Sequence, residues 1–449
     1  MSKDITIKKG LDIKLKGKAQ QKLSIAPRSK LFAIKPAHFH GIIPKVVVKE
    51  GDKVKVGDVI FYSKSNEAVK ITSPVSGEVK EIIRGAKRVV LTVVIVADGQ
   101  DVYKEFKVEP VAKQNKEGLI KVLLESGCWP FIKQRPYDII ANPEDNPKSI
   151  FISAFATAPL SADFDFVLKG REKEFQTGIE VLTKLTAGKV HLGIAAGCNS
   201  FLANIQGAEI HRISGKHPAG NVGVQIAHID PVNVGERVWT LKPQDVAAIG
   251  SLFLTGKMNP GIVVALAGSQ VLEPQYYQVS RGTQIEPIIK GKISERKNRI
   301  ISGNPLTGHL LTKGDYLGYY DDTITVLPEG DHHEFFGWMP FLGNHKFSMS
   351  HTFFSWLNSK KEYDLDTNLN GEERAFVLTG EMEQVFPMDI YPMQLLKAAM
   401  ANDIEKMENL GIYEVSPEDF ALIDFVSSSK IEAQEIIRNG LDLMIKEVG

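Results

Sequence analysis

The chain has 449 residues, 43% of them hydrophobic and 24% charged, which suits a globular protein with buried cores and room for about three domains of ~150 residues. Its 54 Lys and Arg balance 54 Asp and Glu, so net charge makes no case for nucleic acid as a partner. Two cysteines, Cys128 and Cys198, are too few for a disulfide framework or for an iron–sulfur cluster, which takes about four thiolates, and they read as reduced thiols.

The charge is unevenly placed. Residues 1–60 carry fourteen Lys/Arg against five Asp/Glu, and residues 401–449 carry four against eleven. A basic N-terminal face suits acidic lipid headgroups, an acidic protein partner or plain solvation. The N-terminus has no apolar signal core, and the longest apolar run, Val89–Ala97 with Thr92 inside it, is half of what a bilayer needs. Membrane association is therefore expected to be peripheral.

Residues 31–100 read as short strands. Val46-Val47-Val48 and Val59-Ile60-Phe61-Tyr62 favour β structure, while Glu50-Gly51-Asp52 and Val56-Gly57-Asp58 supply turns, followed by the Ser73-Pro74-Val75-Ser76-Gly77 turn and the strand Val89–Ala97. That order resembles the biotinyl/lipoyl-type barrel-sandwich fold. From 111 the texture alternates: a helix at 118–126, a buried strand at 149–154, a helix at 175–186, a strand at 188–194, and a helix at 243–256 closing on Gly256. Strands alternating with helices predict a parallel α/β domain. Residues 257–330 turn mainly β, at 261–268, 271–279 and 299–303. After a mixed stretch from 331 to 379, a helix opens at Pro392 and runs to the stop at Gly411. Ser416-Pro417-Glu418-Asp419 and Ser429-Lys430-Ile431-Glu432 carry helix-start chemistry.

The expected division is therefore 1–110 for the barrel-sandwich with an N-terminal extension, 111–256 for a Rossmann-like α/β domain, and 257–330 for a small β-grasp-type (SLBB-like) domain. A connecting segment, 331–379, and a helical domain, 380–449, complete an α+β multidomain chain.

Motifs for chemistry are sparse. A biotinyl or lipoyl carrier modifies a lysine at a hairpin tip, and Asn66 stands there instead. The glycine clusters at 191–199 and 215–223 lack the G-x-G-x-x-G spacing that lets backbone N–H groups reach phosphate. His38-Phe39-His40, read as a strand with both rings on one side, and Asp331-His332-His333-Glu334 fall short of three or four convergent ligands, so no metal is expected. Cys128 sits in an apolar loop, where burial is the default. No catalytic triad stands out.

The order of domains resembles the C subunit of the Rnf electron-transfer complex and the flavin-binding NADH-oxidising subunit of complex I. Where those relatives carry a GxGGAGFP flavin loop, this chain has Glu125-Ser126-Gly127-Cys128-Trp129-Pro130-Phe131, with bulky Cys128 and Trp129 in place of small residues. Where cluster cysteines precede helices, Phe386 (before Pro387) and Ser427 stand. The phrases ITIKKGLDI, TSPVSGEVKEIIRGAKRVV, HPAGNVG, LFLTGK, RIISGNPLTG, FGWMP and VFPMDIYPMQLLK then identify the chain as similar to the A-subunit (NqrA) family of sodium-translocating NADH:quinone reductases. This resemblance implies a peripheral subunit on the cytoplasmic side of the bacterial inner membrane, in a six-subunit complex with partners B to F. That complex reduces quinone with NADH and exports Na+.

The same resemblance implies that this chain binds no redox cofactor of its own, the flavins and the iron–sulfur centre lying on its partners. Quinone contact is attributed to the family. The stretches combining apolar surface with a polar handle are Leu31–His38 and Gly127–Arg135, which make Phe32, His38, Trp129, Phe131 and Arg135 the quinone-contact candidates. The alternative readings are a purely structural docking scaffold and an Rnf-type electron-entry subunit.

Overall fold

The computed structural model describes residues 2–337, 339, 346–349, 351–358, 360–377 and 379–449; Trp338 and Pro340 of the FGWMP phrase lie outside the described residues. A seven-stranded sheet organises the middle of the chain, its strands lying in the order 4–7, 209–215, 189–195, 149–153, 238–241, 133–135 and 139–140. The first five run parallel and the last two pair antiparallel at one edge. Its central strands, such as Ser149–Ser153, are buried along nearly their whole length, as a sheet covered on both faces requires.

Helices cover that sheet. Lys116–Ser126 starts on Asn115, whose side chain accepts from the Gly118 amide, and stops at Gly127, whose φ of 75° closes the helix in the left-handed region. Pro243–Thr255 ends the same way at Gly256, as the sequence predicts. Glu172–Thr183 and Pro243–Thr255 cross closely because both carry glycine at the crossing: a Cβ on Gly250 would meet the Glu174 carbonyl oxygen at 1.7 Å.

Residues 31–97 form two small antiparallel sheets, of strand order 31–34, 90–97, 77–84, 53–54 and 44–46, 59–63, 70–72. The Gly-Asp turns behave as expected: the Asp52 and Asp58 carboxylates accept from the Lys49 and Lys55 amides at 2.7 and 2.8 Å. A six-stranded sheet follows from 261 onward, ordered 309–311, 298–302, 323–328, 261–267, 275–280 and 20–25. The first 25 residues thus serve distant sheets: Asp4–Ile7 completes the parallel sheet, and Gln20–Ile25 completes the six-stranded one.

Local expectations fail at several points. The strand read from Val271 begins at Gln275 instead, since Pro274 cannot donate to a ladder. The tail helix from Pro392 breaks after Met400, where Asn402 turns left-handed at φ 54° and Asp403 caps a new helix, Ile404–Asn409. Ser416 builds the predicted capping box with Asp419, but the last helix starts at Ala433, because Lys430 turns left-handed at φ 53° and the Ala433 amide donates to the Asp424 carboxylate.

Candidate functional site

The two stretches singled out for quinone contact meet at one junction. Phe39 from the bend after the 3-10 turn Pro36–His38, Phe61 from the small sheets, Phe131 from the loop after the helix Lys116–Ser126, and Tyr319 and Tyr320 from the turn before Thr323–Pro328 pack ring against ring. Phe39 lies 4.7 Å from Tyr319, and Phe131 stacks on Tyr319 at 6.1 Å. Arg281 enters this aromatic nest with its guanidinium 4.6 Å from the Phe131 ring and 5.3 Å from that of Tyr319. Its charge is met by Asp245, and it donates to the Tyr319 carbonyl at 2.8 Å. Burial raises the Asp245 carboxyl above its usual range and drives the Tyr319 hydroxyl up as well. The Tyr319 hydroxyl and Arg281 Nε are buried without a hydrogen-bond partner.

Two of the five candidates, Phe131 and His38, belong to this junction, and Phe32 bridges to the segment just after Arg281. Phe131 is 1% exposed, and Phe32, at 2%, pairs across to Thr283. His38 accepts from the Tyr319 amide through Nδ1 at 3.3 Å, and burial pulls its pKa down to about 4. The other two point elsewhere. Trp129 packs edge-on against Trp239 at 5.3 Å and donates to the Ala141 carbonyl at 2.7 Å. Arg135 reaches Glu418 at 2.9 Å and Asp419 at 3.4 Å, tying the parallel sheet's antiparallel edge to the helical tail.

The stretch read against a flavin loop is filled by protein. Ser126, Cys128 and Trp129 are fully buried, a Cβ on Gly127 would come within 2.3 Å of Thr72 Oγ1, and burial lifts the Cys128 thiol to about 12. Phe386 packs on Phe420 at 4.9 Å in the tail's core, and Ser427 is buried there too. Asn66 closes its turn by accepting from the Ala68 amide at 3.1 Å. The His38-Phe39-His40 reading as a strand does not hold: Pro36 starts a 3-10 turn over Pro36–His38, and the two rings diverge, His40 going to Asp442 at 2.8 Å.

One grouping has no local sequence signal. The pairing of Lys189–Ala195 with Glu209–Gly215 sets His191 opposite Glu209 and Gly193 opposite His211, so the period of two puts His191, Glu209 and His211 on one face. His191 Nδ1 and His211 Nε2 are 2.9 Å apart, and Glu209 Oε2 is 3.8 Å from His191 Nδ1. Phe151 stacks on the His191 ring at 4.5 Å. Twenty positions separate the two histidines, and only the strand register brings them together.

Comparison with known proteins covers the whole chain. The family models described as "NqrA N-terminal barrel-sandwich hybrid domain", "NqrA second alpha/beta domain" and "NQRA C-terminal domain" match residues 5–98, 114–258 and 263–313. The A subunits of the Na(+)-translocating NADH-quinone reductases of Haemophilus influenzae (strain Rd) and Neisseria meningitidis (strain Z2491) are each 38% identical over 447 residues, covering 99% of this chain and all of theirs. The A subunit of the Marinomonas sp. (strain MWYL1) enzyme is 37% identical over 98% of this chain and 99% of its own. Identity at this level from end to end leaves one conclusion: the chain belongs to the A-subunit family of the Na(+)-translocating NADH-quinone reductases.

Proposed function

We propose that this chain works as the peripheral A subunit of a complex that passes electrons from NADH to quinone and exports Na+, and that it supplies no redox centre itself. End-to-end identity to the A subunits of such enzymes carries this reading. Among the described residues no helix is long and apolar enough to cross a membrane. We place the chain on the cytoplasmic face, attached through the partners B to F. We read the parallel sheet as Rossmann-like and the tail as a ferredoxin-like module without clusters. The protein-filled loop at Gly127–Trp129 and the apolar packing of Phe386 support placing the flavins and the iron–sulfur centre on partners. We keep the division at 110, 256, 330 and 379 as the domain plan that goes with this reading.

Quinone contact is assigned to the aromatic junction, through Phe32, His38 and Phe131. The observation favouring it is the buried Tyr319 hydroxyl with no hydrogen-bond partner, since a quinone carbonyl would satisfy it. A docking scaffold is the second reading, favoured by the burial of Phe32, Trp129, Phe131 and Arg135, all 2% exposed or less. Quinone affinity of the assembled complex, measured for Phe131→Leu and Tyr319→Phe, separates the two. Weaker affinity with intact assembly supports contact, and unchanged affinity supports the scaffold. An absorption spectrum of the purified chain tests the third reading, an electron-entry role, because bound flavin or iron would be visible.

A further inference from the structure

We propose that His191, Glu209 and His211 form a binding site for one divalent transition-metal ion, Zn2+ by the chemistry of its ligands, at the end of the parallel sheet where its central strands begin. Two imidazole nitrogens and one carboxylate oxygen are the donor set of open zinc sites, in which a water or a ligand takes the fourth position. Metal–ligand bonds of about 2.0–2.2 Å in a tetrahedron hold donor atoms roughly 3.3–3.5 Å apart. The observed separations, 2.9 Å between the two ring nitrogens and 3.8 Å from His191 Nδ1 to Glu209 Oε2, bracket that value, so shifts of a few tenths of an ångström seat the ion. All three donor atoms lie within 4.8 Å of one another, and among the described residues this is the group of His, Cys, Asp and Glu that meets that condition.

The surroundings give the site rigidity and an entrance. His191 and Glu209 are register partners and His211 is two residues along the same strand, so the ladder fixes their spacing. Phe151 clamps the His191 ring, and Lys189 holds the other oxygen of Glu209. The donors line a cleft of about 320 Å³ shared with Asp230, Ser149, Lys3 and Lys148, which admits an ion and its water. Two of the cleft's lysines have partners outside the donor set: Lys148 is held by Asp230 and Glu236 at 2.7 and 2.9 Å, and Lys3 Nζ donates to the Ile229 carbonyl at 3.1 Å.

Binding requires one rearrangement, with protons conserved. The Lys3 amide donates to His211 Nδ1 at 3.1 Å, which puts the His211 proton on Nε2, facing His191 Nδ1. The ion takes the place of that proton between the rings, the proton moves to His211 Nδ1, and the Lys3 amide turns to water.

The test uses the purified full-length chain, stripped with a chelator, and Zn2+ titrated against a chromophoric competitor, with Co2+ as the spectroscopic probe. The expected result is one equivalent of Zn2+ bound and visible Co2+ bands of a low-coordinate site. Glu209→Gln and His211→Ala should each weaken binding by at least the roughly 10- to 100-fold that loss of a supporting group costs a metal site. Glu209 lies at the mouth of the cleft, so its variant keeps the core intact even where His211→Ala does not fold. Substoichiometric Zn2+ binding by the unsubstituted chain, or one equivalent held with unchanged affinity in Glu209→Gln, would overturn the assignment.

Discussion

Arg281 and Asp245 form an ion pair sealed inside the protein, each side chain 3% exposed, and they join the helix Pro243–Thr255 to the turn after the strand Gln275–Ser280. Neither charge has water to fall back on, so each depends on the other. Asp245→Asn leaves the guanidinium uncompensated among Phe131 and Tyr319, and we expect a loss of about 3–5 kcal/mol. Replacing both, as Arg281→Met with Asp245→Leu, should recover most of it. Thermal unfolding midpoints of the parent, the single and the double variant decide the matter. A double variant no better than Asp245→Asn contradicts this account.

Part of the acid sensitivity follows from two histidines with little access to water. Burial holds His38 and His217 near pKa 4 in the folded chain, against about 6.5 unfolded. Between these values the unfolded chain takes up protons that the folded chain refuses. Stability is therefore fully present above pH 6.5, falls as the pH drops toward 4, and loses nothing further below that from these groups. Each shift is worth on the order of 3 kcal/mol. Urea midpoints at pH 7 and pH 5 should show the decline, and His217→Asn should flatten it.

The crossing of Glu172–Thr183 and Pro243–Thr255 reverses a common rule. In a free helix Gly→Ala stabilises by about 1 kcal/mol. At Gly250 the added methyl would lie 1.7 Å from the Glu174 carbonyl oxygen, a backbone atom that cannot turn away. Overpacking of this kind costs roughly 1–3 kcal/mol or more, so Gly250→Ala should lower the melting temperature. A rise would show that the helices separate at no cost.

Arg135 anchors the tail. Its side chain is 2% exposed and Asp419 is wholly buried, so Arg135→Ala strands a carboxylate under the helices and should cost about 3–5 kcal/mol. Limited proteolysis should then cut within 380–449 well before the rest of the chain. Equal resistance of variant and parent would mean that the apolar contacts of Phe386, Phe420 and Leu441 hold the tail alone.

Elements whose signals are local were legible in the sequence. Pro243 at the start and Gly256 at the stop bound one helix, and Asp52 and Asp58 close the turns that their Gly-Asp pairs announce. What escaped the sequence is long-range pairing. Nothing in Asp4–Ile7 indicates that it will pair with a strand more than 200 residues away, and the same distance problem hides the bond from Arg135 to Asp419. Of the candidate site, His38 and Phe131 meet at Tyr319, while Trp129 and Arg135 serve other contacts. The partners that matter most at the junction, Arg281, Asp245 and Tyr319, come from segments whose patterns carry no chemical motif. His191, Glu209 and His211 were invisible for the same reason, since strand register rather than spacing unites them.

We propose that this chain serves quinone reduction through its partners and holds no redox centre. The most direct measurement is Na+-stimulated NADH:quinone reductase activity in membranes from cells lacking this chain, before and after restoring it. We predict that activity is lost without it, returns with the unsubstituted chain, and returns while the purified chain shows no visible absorption. Full activity in its absence, or flavin or iron absorption from the chain alone, would contradict the account.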